Sequence, residues 1–150
     1  MKKIFITFGF LLVFYSITYA QTTAPFNVEG TWKVVGGEFL SPTPLPKSIA
    51  KQLTAYKELF FNSVFIFNSD HGFNFDIAID EIKIQHGHWK YNADFNRYQI
   101  QEWADKDKDN SFLMFISVKR EGDKTFFVLP TGDDLPKEFL IKLEVVKLME

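Results

Sequence analysis

Val64-Phe65-Ile66-Phe67-Asn68-Ser69-Asp70-His71-Gly72-Phe73-Asn74-Phe75-Asp76-Ile77-Ala78-Ile79-Asp80 decides how this chain folds. From Phe73 onward, apolar Phe73, Phe75, Ile77 and Ile79 alternate with Asn74, Asp76, Ala78 and Asp80. A period of two puts successive side chains on opposite faces of a strand, so this segment reads as a strand with one buried face. Before it, Phe65 and Phe67 alternate with Val64 and Ile66, which makes both faces apolar. Asn68 to Gly72 between the two runs has hairpin-turn composition.

The same reading extends in both directions. Val28 to Val35 forms a first strand, ended by Gly36-Gly37. The Pro-rich stretch Ser41 to Pro46 continues neither helix nor strand, because proline fixes φ and removes a donor. Ile49, Leu53, Tyr56 and Phe60 then recur on one helical face, which predicts a helix over about 46–60; Pro46 suits its first turn. Downstream, Ile82–Tyr91 (bent near Gly87), Arg97–Trp103, Ser111–Val118, Lys124–Leu129 and a strand from Phe139 to Val146 follow one another. Turns fall at Asn92-Ala93-Asp94, Asp105 to Asn110 and Glu121-Gly122-Asp123. About eight strands with short connections predict an all-β, antiparallel up-and-down barrel with one amphipathic helix after the first strand. Closure removes exposed sheet edges.

The N-terminus reads as a cleavable export signal over residues 1–20. Met1-Lys2-Lys3 is a basic start, Ile4 to Ile17 an apolar run, and Thr18-Tyr19-Ala20 a small-residue cleavage site. The run is shorter than the roughly 20 residues that span a bilayer. Residues 21–27 are a flexible lead-in and 28–150 the barrel domain. The mature chain is expected to be soluble and periplasmic or extracellular, with no membrane span. It keeps fifteen basic residues against nineteen acidic ones, a net charge of −4. That balance argues against a nucleic acid partner. There is no cysteine, so neither disulfides nor a thioether lipid anchor can form, and stability rests on burial. After cleavage 14 Phe, 3 Trp and 3 Tyr remain, a core rich in rings for its size.

Gly30-Thr31-Trp32 opens the first strand soon after the signal, and Gly87-His88-Trp89-Lys90-Tyr91 repeats the pattern mid-chain. Together with the Phe-rich hairpin, these elements resemble the bacterial lipocalin-like domains over roughly residues 28–148. The resemblance implies that Trp32 is a structural plug across the closed end, and that the other end admits an apolar ligand. The Thr-Asp-Tyr element typical of lipocalins is absent. The last strand carries Lys142 and Lys147 where the family has an arginine over the tryptophan. Arg97 and Tyr98 are adjacent, so they point to opposite faces and do not form the Arg-x-Tyr carboxylate clamp of the related fatty-acid-binding proteins.

No catalytic arrangement is visible, and the chain is expected not to be an enzyme. It lacks a nucleophile elbow and a phosphate-cradling loop. Asp76 and Asp80 share a strand face that reads as solvated. Asp105 to Asn110 resembles half of a calcium loop but has Asn110 and Ile116 where glycine and a bidentate glutamate are needed. His86 and His88 share a face opposite Gly87 and Trp89, which directs them to solvent, and His71 sits in a turn. No metal or cofactor is expected. The rings have two readings: they fill the barrel, or Phe65, Phe67, Phe73, Phe75, Trp103 and Phe115 line a cavity for a small hydrophobic ligand. The corresponding functions are a ligand carrier, with the helix closing one end, and a packed barrel that binds another protein. The state of the interior separates them.

Overall fold

The computed structural model describes residues 25–41, 44–130 and 139–149. The export signal and the first part of the lead-in lie outside this range. Eight strands form one closed antiparallel barrel in sequence order: β1 (Gly30–Leu40), β2 (Val64–Phe67), β3 (Gly72–Asp76), β4 (Ile84–Asn92), β5 (Arg97–Glu102), β6 (Met114–Glu121), β7 (Lys124–Pro130) and β8 (Leu140–Leu148). Each strand pairs with its neighbour, and β8 pairs with β1 to close the ring. The one α-helix among the described residues, α1 (Lys47–Phe60), joins β1 to β2 and packs against β1.

Strand parity is the one the period-2 pattern predicts. Phe65, Phe67, Phe73, Phe75 and Ile77 are buried, while Asp76 is exposed. Hydrogen-bonded pairing in β3 stops at Asp76, yet the burial alternation continues to Ile77 before a short 3-10 turn over Asp80–Ile82. The pairing of β3 with β4 shifts register between Phe73 and Phe75, close to the bend expected at Gly87.

The expected end of β1 is wrong, and β4 begins at Ile84, not Ile82, which closes the 3-10 turn. Gly36-Gly37 does not end β1, which runs on to Leu40 and pairs with β8 throughout. A register shift between Val34 and Gly36 absorbs the irregularity, as glycine at a bulge permits. A Cβ on Gly37 would sit 3.0 Å from Leu143 Cδ2 and 3.3 Å from the Lys142 carbonyl, so glycine here allows a close strand approach.

The β5–β6 connection is also longer than expected: β6 begins at Met114, not Ser111. The turn folds back onto the outer face of β5. Gln101, fully buried, donates from Nε2 to the carbonyls of Asp105 and Lys108. The Asp105 carboxylate accepts from Lys108 Nζ at 2.6 Å and from Ser111 Oγ at 3.0 Å. These hydrogen bonds hold its carboxyl below the usual carboxylate range.

Candidate functional site

The interior comes first, because the predicted ligand residues point to it. Phe65, Phe67, Phe73 and Phe75 are brought together as expected: the Phe65 and Phe75 rings stack at 4.4 Å, and Phe67 meets Phe73 edge-on at 5.0 Å. A chain of ring contacts then runs the length of the barrel. Phe26 meets Trp32 at 5.7 Å, Trp32 meets Phe127 at 5.5 Å, and Phe127 meets Phe65 at 5.3 Å. Phe75 continues it to Phe60 at the C-terminal end of α1, at 6.1 Å. Phe65, Phe75, Ile100, Ile116, Phe127 and Leu143 all have 0% exposure. A void that admitted even a water molecule would leave accessible surface on its lining, and these side chains have none. An eight-stranded barrel is just wide enough for side chains to fill or for one small ligand; here the described side chains fill it.

Trp103 and Phe115 do not join this cluster. β5 ends at Glu102, and Trp103 opens a 3-10 turn (Trp103–Asp105); with the parity opposite to inward Tyr98 and Ile100, it lies on the outer surface, 43% exposed. Ile116 takes the inward position on β6, so Phe115 faces out. Phe127 is an interior residue that the sequence reading did not single out. It lies in Phe126-Phe127-Val128-Leu129, an apolar run whose alternation gives no face preference.

At the closed end, Trp32 is 5% exposed, and its Nε1 donates to the Val28 carbonyl at 2.7 Å. Residues 25–29 thus fold across the end of the barrel. Tyr98 points inward, its hydroxyl donating to the Phe26 carbonyl, and burial, then the neighbouring Tyr91, pushes the phenol up to about 12. Lys147 lies over the Trp32 ring at 5.7 Å. Gly30 makes this possible. Its φ is +117°, and a Cβ there would come within 2.6 Å of Lys147 Cε. Arg120, inward-facing on β6, sits 6.0 Å from the Phe26 ring.

At the other end of the barrel, Leu53 and Phe60 of α1 are buried and Ile49 is half-buried; the Tyr56 side chain lies outside the described residues. Of these, Phe60 enters the core cluster.

The outer surface over β4–β6 carries the remaining features. Arg97 lies between two rings, 3.9 Å from Phe115 and 4.8 Å from Phe95. Phe112 packs on Phe115 at 5.2 Å, and Lys90 lies over Phe112 at 5.5 Å. Phe95 is 64% exposed and Leu113 46%. Neither Arg97 nor Lys90 forms an ion pair among the described residues, and Arg97 Nε is buried without an acceptor. On the same side, His86 is solvent-facing as expected, but His88 is half-buried between His71 at 5.9 Å and Trp103 at 5.3 Å. Desolvation there, then the nearby charges of His71, Lys106 and Lys90, depresses its pKa. Among the described residues no three His, Asp or Glu side chains come together as a metal site, and no helix is long and apolar enough to cross a membrane.

The chain matches no family model, no curated protein and no solved structure.

Proposed function

We propose that this chain is an exported, lipocalin-like barrel without catalytic activity, which binds a partner protein through its outer surface and carries no ligand inside. One observation supports this over the carrier reading: the unbroken line of rings from Phe26 to Phe60, flanked by side chains with no accessible surface. A hydrophobic guest would have to displace those rings, and removing a buried Phe typically costs 3–5 kcal/mol. The export signal and Gly30-Thr31-Trp32 support the family and compartment parts of the reading.

The strip of Phe95, Arg97, Phe112, Leu113 and Phe115, with Lys90, is the surface we assign to the partner. Exposed rings beside arginine are the composition of interface hot spots. Two cations without ion-pair partners among the described residues select an acidic, partly apolar partner face. A photocrosslinking residue in place of Phe112 should capture one partner from the exported fraction of the host, and Arg97→Glu should abolish that capture. The same probe at Val35 on β1, four strands away from β5 around the barrel, should capture nothing comparable. No capture from position 112, or capture unaffected by Arg97→Glu, contradicts the assignment.

A further inference from the structure

The closed end holds a crevice of about 480 Å³ between residues 25–32, the β6–β7 turn and the end of β8. Its lining includes Phe26, Trp32, Arg120, Thr125, Val145 and Lys147. Strand parity places Arg120 on the face of Ile116, and Lys147 on the face of Leu143 and Val145, so both cations lean over the end of the barrel. Each lies against a ring, Arg120 on Phe26 at 6.0 Å and Lys147 on Trp32 at 5.7 Å.

Neither cation is held in an ion pair among the described residues, whereas Lys83, Lys108, Lys124 and Lys142 all pair with carboxylates. Two acidic groups also line the crevice: Glu144 is engaged by Lys124 at 3.0 Å, and Asp123 stands in the β6–β7 turn, so the three lining cations Arg120, Lys124 and Lys147 outnumber the carboxylates. Two free cations, a ring floor and an apolar wall at Val145 define one chemical class. A volume of this size lies within the range of small-molecule sites.

From this arrangement the geometry points to a binding site for a small aromatic anion, its carboxylate or sulfonate between Arg120 and Lys147 and its ring system against Phe26 and Trp32. The site lies on the outside of the plug, so it is compatible with a filled interior and independent of the β4–β6 surface. Gly30 serves it by leaving Lys147 room to lie over Trp32.

The test compares two fluorescent probes on the purified protein: 8-anilinonaphthalene-1-sulfonate, and N-phenyl-1-naphthylamine, the same ring system without the anion. The sulfonate should bind with one site per chain and weaken with salt. Arg120→Gln with Lys147→Gln should weaken it at least about tenfold, since hydrogen bonds to charged groups are lost, while thermal unfolding stays close to wild type. The Arg97→Glu variant should bind it as wild type does. Equal binding of both probes overturns the proposal. So does sulfonate binding that survives the double substitution in a folded protein, or that is lost in Arg97→Glu instead. If the double variant unfolds, Arg120→Gln alone, at an exposed position, decides by the same comparison.

Discussion

Lys147 and Phe115 show how far a single residue's role depends on which way its strand faces it. Lys147 looks like a surface cation by type, yet it lies on Trp32 because β8 alternates inward at Leu143, Val145 and then Lys147. Phe115 looks like core by type, yet it faces out because Ile116 takes the inward position. Phe65→Ala should therefore cost about 3–5 kcal/mol, as for a ring removed from a packed core. Phe115→Ala should cost under about 1 kcal/mol, as a surface substitution does. Urea unfolding of the two variants measures the difference. Tyr98 sets a pH limit at the same scale. Its phenol is held to about 12 in the fold, while an unfolded chain ionises it from about 10. The protonated group is favoured by folding, so its contribution is complete below about pH 10 and is lost as pH rises towards 12. Lys83 and Lys142, raised by their hydrogen bonds to carboxylates, titrate in the same alkaline region. The contribution of Tyr98 is therefore read as a difference. Stability measured from pH 9 to 12 should fall more steeply in the wild type than in Tyr98→Phe.

At the scale of elements, the sequence was most legible where one face is apolar and the other polar. Phe73, Phe75 and Ile77, Leu53 and Phe60 from the expected helical face, and Ile141, Leu143 and Val145 of the late strand are all buried as their periods select. It was least legible where glycine or a polar turn had two uses. Gly36-Gly37 has the composition of a strand end, but glycine also lets two strands approach closely, and only the position of β8 distinguishes these. Gly37→Val should therefore crowd Leu143 and cost about 1–3 kcal/mol, with the amide signals of β1 and β8 shifting together in NMR spectra. A glycine that merely ended the strand would accept the change with little effect. The Asp-rich turn after β5 poses the same difficulty. Its charges suggest a solvated loop, and nothing local reveals that Gln101, four residues before it, holds its carbonyls against the barrel. Trp103 has the parity of Gln99 and Gln101, opposite to inward Tyr98 and Ile100, which is why the expected ligand residue Trp103 lies outside.

For the molecule as a whole, eight strands in sequence order and a helix after the first followed from pattern alone. Whether the barrel was hollow did not. Composition supplies the rings, but filling depends on how Phe127, from a run with no face preference, meets Trp32 on one side and Phe65 on the other. With that ring in place, the binding we propose falls to the surface: the cation–ring strip over β4–β6, and the crevice outside Trp32. The central claim is that nothing occupies the barrel interior. Native mass spectrometry of the protein purified from its own host tests this directly. The account predicts a single species at the mass of the chain beginning at Gln21, with no apolar adduct that survives denaturant-free purification. A stoichiometric apolar adduct, released on unfolding and retained by Arg120→Gln with Lys147→Gln, would contradict it.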